Sequence, residues 1–188
     1  VMAGFYNDAI VVDQYGFLPL QACGELTSSS TRFAAGLQFD VFNPGAPTVL
    51  PFSVLNASGN SGNAFRGQLR LERFIRPTSD RQITLQFALS EPVATTIDPL
   101  FRLSEDNGWP NIEGRMALGC GVLPQGSLEA RRDFEIGVSG VIGQLRATLI
   151  ANSQTVADVW GLGVDFYCRL TDCIGFTGEW FTGQGLGT

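Results

Sequence analysis

Apolar and polar residues alternate with a period of two along most of the chain, and helical periodicity is hard to find. The clearest stretch runs from Arg32 to Phe42. There Phe33, Ala35, Leu37, Phe39 and Val41 fall on one face, while Arg32, Ala34, Gly36, Gln38 and Asp40 fall on the other. Successive side chains of a β-strand point to opposite sides, so this pattern predicts a strand with one apolar and one polar face. Gln82 to Ser90 repeats it, with Ile83, Leu85, Phe87 and Leu89 opposed to Gln82, Thr84, Gln86, Ala88 and Ser90. Further strands are expected over 66–75, 112–119, 133–146, 157–167 and 174–184, with one or two less regular ones before Leu20, about eight or nine in all. The connections 43–65 and 91–111 are long and rich in Pro, Gly, Asn and Ser, whereas 76–80 and 168–173 are short. Long and short connections alternate when Asp133 to Arg146 is read as one strand kinked at Gly140 and Gly143.

The two faces differ in a second way. The polar side is sparse in charge and loaded with small residues, among them Ala34, Gly36, Gly119, Gly137, Ser139 and Gly163. The opposite side is bulky and aromatic, with Phe33, Phe39, Phe87, Phe134, Trp160, Phe166 and Trp180. A soluble β-sandwich alternates too, but its outer face meets bulk water and carries many charges. Large apolar residues facing lipid, with small and polar ones facing a lumen, mark a transmembrane β-barrel. Aromatics at Trp160, Tyr167, Trp180 and Phe181 are expected near strand ends, where they would form interfacial girdles.

Composition narrows the chemistry. The 188 residues are 44% hydrophobic and 16% charged, and mean hydropathy is +0.12. No apolar run reaches the length of about 18 residues that a membrane helix needs. Histidine is absent, which removes His-based acid and base catalysis, Ser-His or Cys-His nucleophile pairs and imidazole ligands. All 12 basic residues are arginine against 18 acidic ones, and the net charge of -6 argues against a nucleic-acid surface. The four cysteines lack paired Cys-x-x-Cys spacing, so disulfides in an oxidising compartment are expected rather than a metal site. The chain opens on Val1 without an initiator methionine, so a processed or truncated N-terminus is expected.

The stretch Gly36-Leu-Gln-Phe-Asp-Val-Phe-Asn-Pro44, a Pro/Gly-rich loop, and Arg66-Gly-Gln-Leu-Arg-Leu-Glu-Arg73 resemble the Gly-Gln-x-Trp-Asp-x-Phe strand, inserted loop and Arg-x-Pro-Gln-Leu-Arg strand of DcaP-like outer-membrane porins. Gly108-Trp-Pro-Asn-Ile-Glu-Gly-Arg115, Asp158-Val-Trp-Gly-Leu-Gly-Val-Asp165 and Gly175-Phe-Thr-Gly-Glu-Trp-Phe-Thr-Gly-Gln-Gly-Leu-Gly187 resemble later strands of the same group, in the same order. Phe39 stands where the family has Trp, and Leu37 precedes Gln38, so the match is one of pattern. The resemblance implies an all-β, transmembrane antiparallel β-barrel in a bacterial outer membrane, in contact with outer-membrane lipid and associated as a homotrimer. It also implies passive diffusion of small hydrophilic solutes. Porins of this group use roughly sixteen strands, about twice what this chain supplies. Residues 1–188 are therefore expected to form one barrel domain or a central segment of its wall.

Selectivity in such a channel needs polar groups facing the lumen, not a catalytic constellation. Strand parity places Arg66, Gln68, Arg70 and Glu72 on one face beside Arg32, Gln38 and Asp40, a candidate pore-lining cluster. Arg115 joins it, with Glu113, Arg146, Asp165 and Glu179 as weaker candidates. The loop 43–65 is expected to fold inward as a constriction, as the resemblance implies, and the arginines Arg32, Arg66 and Arg70 predict a preference for anionic solutes. Arg73 has the opposite parity and is expected to point outward near a strand end. Tracing the loops to one rim predicts all four cysteines at the other, paired as Cys168 with Cys173 and Cys23 with Cys120. Glu72, Glu113, Glu135 and Glu179 have no spacing that brings two of them together as glycosidase carboxylates. No enzyme activity and no cofactor are expected. Asn56-Ala-Ser58 matches a glycosylation acceptor, a motif frequent by accident. The alternative to a porin is a secreted soluble β-sandwich binding module, which would stay in solution without detergent.

Overall fold

A computed structural model describes residues 2–8, 14–42, 44, 65–91, 105–106, 109–121, 132–148, 154–171 and 174–185. They form one antiparallel sheet. Its strands are β1 (Met2–Asp8), β2 (Gln14–Thr27), β3 (Thr31–Phe39), β4 (Phe65–Thr78), β5 (Arg81–Ser90), β6 (Glu105–Asp106), β7 (Asn111–Cys120), β8 (Phe134–Thr148), β9 (Gln154–Arg169) and β10 (Gly175–Gln184). Spatial order follows chain order from β1 to β10, except that the two-residue β6 pairs with the far end of β8. The sheet is not closed, because β1 and β10 are its two edges. All seven strands expected after Arg32 are present, and Phe134–Thr148 is a single strand passing through Gly140 and Gly143. The chain before Leu20 yields β1 and a β2 that continues to Thr27.

The ends of the strands define two rims. One carries Ser28–Ser30 between β2 and β3 and the two-residue turn Ser79–Asp80 between β4 and β5, together with the longer connection 121–133 between β7 and β8. In that turn the Thr78 hydroxyl donates to the Asp80 carboxylate at 2.6 Å and holds its carboxyl below the usual range. The other rim carries the long connections after β3 and after β5. The expected constriction loop 43–65 lies outside the described residues apart from Pro44 and Phe65.

The side-chain alternation follows the sequence pattern, but with burial inverted relative to a soluble protein. Phe87 is 46% exposed, Met116 59% and Trp160 45%, and Phe33, Leu71, Ile136 and Phe166 lie on the same open face. On the opposite face Arg32, Glu72, Glu113 and Asp165 are buried. No second layer covers the phenylalanines among the described residues. Three expectations change in detail. Val41 has left the strand and is buried on the polar side. Trp180 sits in mid-sheet opposite Val164, and Phe181 lies opposite Gly163 with the parity of the polar face, so neither belongs to an end girdle. Trp160 lies opposite Ile142, level with the ends of β5 and β7 at the long-loop rim.

The expected disulfides are not formed: Cys23, Cys120 and Cys168 are all unbridged. Cys23 lies inside β2 opposite Gly36, where its thiol donates to Glu25. Cys120 ends β7, four strand positions away. At about 4.8 Å per strand the two Cα atoms are far beyond the roughly 7 Å limit for a bridge. Cys120 and Cys168 do share the short-turn rim, but Phe134 stands between them in register. Cys173 lies outside the described residues.

Close approach at β2 explains one glycine. Gly36 takes φ 134, and a Cβ there would meet the Ala22 carbonyl oxygen and lie 2.7 Å from the Cys23 Cα. Only glycine fits both the backbone angle and the space.

Candidate functional site, the polar face of the sheet

Strand register aligns four polar side chains in one row across four strands: Arg32 of β3, Glu72 of β4, Gln86 of β5 and Arg115 of β7 are successive partners. Their hydrogen bonds make the row continuous. Arg32 donates through Nη1 to Glu72 Oε2 at 2.7 Å, Gln86 Nε2 donates to Glu72 Oε1 at 2.5 Å, and Arg115 Nη1 donates to Gln86 Oε1 at 3.0 Å. Each end is closed by more carboxylates. Arg32 also donates to both oxygens of Glu25, at 2.6 Å and 3.1 Å. Arg115 binds Asp165 in bidentate fashion at 2.8 Å and 2.5 Å and reaches Glu135 at 2.8 Å. Arginine suits this role because its planar fork serves several acceptors at once.

The small residues of this face provide the room. Arg115 is on β7 and Asp165 on β9, with β8 between them, and the residue of β8 beneath their contact is Gly137. A Cβ on Gly137 would lie 2.5 Å from Asp165 Oδ2 and 2.7 Å from Arg115 Nη2. The glycine thus lets an ion pair form across an intervening strand.

A second group lies toward the long-loop rim. Gln68 donates to the carbonyls of Gln38 and Phe39 and to Asp40 Oδ1 at 3.0 Å. Arg70 donates to the Phe39 carbonyl and to Gln68 Oε1 at 2.9 Å, and Glu72 lies 3.8 Å from it. Gln38 is 1% exposed, and neither of its amide atoms finds a partner among the described residues. Beyond Phe39 the chain turns over this face. The N–H groups of Val41 and Phe42 both donate to Glu113 Oε2, at 2.8 Å and 3.2 Å, and Ser90 Oγ donates to Glu113 Oε1.

The contacts of Val41 and Phe42 with Glu113 also fix the shape of the sheet. Glu113 is in register with Ala88, Arg70 and Ala34, so it lies three strands across from β3 and five residues back from Phe39. A flat sheet would separate these points by about 20 Å. Two residues of backbone, at most about 7 Å, and one glutamate side chain bridge them. The polar face is therefore concave along this diagonal.

Of the residues expected to line this face, Arg32, Gln38, Asp40, Gln68, Arg70, Glu72 and Arg115 are all on it. Arg66 pairs with Gln38 in register, but its side chain, like that of Arg146, lies outside the described residues. Among the weaker candidates, Glu113 and Asp165 are central, and Glu179 lies opposite Asp165. Sequence reasoning passed over Gln86, although parity had placed it on the polar face. It also passed over Glu25, which sits on an irregular strand, and weighed Glu135 only as a glycosidase carboxylate, although Glu135 lies on the polar face opposite Gly119 and the long Arg115 side chain reaches it. Arg73 points outward, as its parity predicts, but not at a strand end: it lies inside β4 opposite Leu85, five residues before Thr78, and donates across to Ser30 Oγ and Thr31 Oγ1 at the start of β3 at 2.9 Å and 2.7 Å. No family model, curated protein or solved structure matches this chain.

Proposed function

We propose that this chain forms part of the wall of a transmembrane β-barrel porin in the bacterial outer membrane, a water-filled channel for passive diffusion of small hydrophilic solutes. The inversion of burial carries this reading. A broad apolar face lies open while buried arginines and carboxylates line a concave polar one, which suits lipid outside and a lumen inside. A soluble sandwich would hide Phe33, Phe87 and Phe166 between two layers, and the described strands make one layer. The resemblance to DcaP-like porins supports the same reading, and association as a homotrimer belongs to it through that resemblance alone.

The charge of the permeating solute follows from what the ion pairs leave over. Arg32 is bracketed by Glu25 and Glu72, and Arg115 by Glu135 and Asp165. Each guanidinium faces two carboxylates, so the excess on this part of the lumen is negative. The reading that fits is a weak cation preference, opposite in sign to what the arginines alone suggest. Planar bilayers test both parts. Detergent-extracted protein is expected to give steady ohmic conductance with reversal potentials favouring cations, and Arg70→Ala is expected to strengthen that preference. A protein that stays monodisperse in buffer without detergent overturns the porin reading. Anion preference in the unmodified protein overturns the assignment of sign.

A further inference from the structure

We propose that Glu113 is a positioning residue that pins the strap Asp40–Phe42 across the concave polar face and thereby sets the width of the passage. The effect on width rests on the channel reading; the pinning does not. Glu113 is 2% exposed, and Val41 and Phe42 are 1% and 3% exposed. The donors it meets among the described residues are two consecutive backbone N–H groups and one hydroxyl. A carboxylate buried this deeply needs several donors to offset its lost hydration, and two successive N–H groups aimed at one oxygen supply a concave anion seat.

The surroundings give the strap room to lie down. In the row of Glu113, β3 and β5 contribute Ala34 and Ala88, the smallest side chains that keep a Cβ. Arg70 and Gln68 hold the strap where it leaves β3, through Phe39 and Asp40. Glu113 is the attachment on the far side, three strands away. An extended residue after Phe39 would continue along β3 toward the rim. The bond to Glu113 turns the chain back over the face instead, and places the side chains of Val41 and Phe42 over the polar surface.

The experiment is site-resolved amide hydrogen exchange on the full chain in detergent micelles, for the unmodified protein, Glu113→Ala and Glu113→Gln, paired with single-channel conductance. The unmodified protein is expected to protect the Val41 and Phe42 amides. Glu113→Ala is expected to speed their exchange by at least about tenfold, the factor carried by one lost hydrogen bond of ordinary net strength, with no change at Leu85 or Met116. Glu113→Gln keeps an oxygen for both N–H groups and is expected to keep most of the protection. Conductance is expected to rise in Glu113→Ala and to stay near the original in Glu113→Gln. Fast exchange at Val41 and Phe42 in the unmodified protein overturns the pinning without recourse to a variant. Acceleration throughout the sheet in Glu113→Ala overturns it too, because Glu113 would then hold the sheet and not the strap. Released amides with unchanged conductance overturn the role in width. Protected amides with no conductance in any form overturn the channel reading while the pinning stands.

Discussion

Gly137 offers a sharp test of how the polar face is built, because one added methyl group there collides with an ion pair rather than with a core. In Gly137→Ala the new Cβ meets Asp165 Oδ2 at 2.5 Å and Arg115 Nη2 and Nε at 2.7 Å and 2.8 Å, all too close for a carbon. Arg115 and Asp165 are both buried, so displacing either one disturbs a desolvated pair. Removing one partner of a buried pair costs about 3–5 kcal/mol. Here the groups are displaced and not deleted, and Arg115 keeps Gln86 and Glu135, so a loss of about 1–3 kcal/mol is expected, the usual range for overpacking. Against it stands a gain of about 0.4–1 kcal/mol from the stiffer unfolded chain. The net effect is a destabilisation of about 1–2 kcal/mol. The assay is denaturant unfolding in micelles followed by circular dichroism, made as a double-mutant cycle against Arg115→Ala/Asp165→Ala. Without those side chains the obstruction is gone, so Gly137→Ala is expected to become neutral or slightly stabilising. Equal destabilisation in both backgrounds would show that the glycine serves the backbone of β8, and the account of an ion pair reaching over it would be wrong.

Two further outcomes follow from the open face and from the cysteines. Met116 lies outward in mid-β7, in register with Leu85 and Val138. Met116→Arg is therefore expected to cost about 2–4 kcal/mol relative to Met116→Ala in lipid bilayers, measured by reversible unfolding from vesicles; a cost near zero places that face in water. Cys120 and Cys168 are expected to take up maleimide when the protein is unfolded without reductant, read by mass spectrometry, and protection of either until reductant is added contradicts their unbridged state.

The strands were legible because a period of two needs only the sign of each side chain. Phe33 and Arg32 declare their faces whatever lies next to them, and the same rule extends from β3 to β10. Partners across strands are a different matter. Arg32 finds Glu72 only because β3 and β4 align Thr31 with Arg73, and Arg115 finds Asp165 only because β8 between them has a glycine at the crossing. Neither register nor a gap on a third strand has a local signature. The cysteines failed for a related reason: assigning Cys23 to a rim treats a position in sequence as an end of a strand, whereas β2 runs on past it to Thr27. Glu113 was only a weaker candidate because parity gives its face but not the return of the chain over that face after Phe39.

The directions of the edge strands constrain how such a wall can be completed. Among the described residues every step from β1 to β10 along the sheet is antiparallel, and the path has nine strands, so β1 and β10 run the same way. Bringing these two edges together would create a parallel seam, with bonds evenly spaced and slanted in place of the alternating pairs found elsewhere in the sheet. A second copy inserted in the same orientation meets the same obstacle, since its β1 would also run parallel to this β10. Bacterial outer-membrane barrels are antiparallel with an even number of strands. Under the porin reading, an odd number of strands beyond the nine on the described path stands between the two edges, because direct pairing of β10 with β1, or with the β1 of a like-oriented copy, would be parallel.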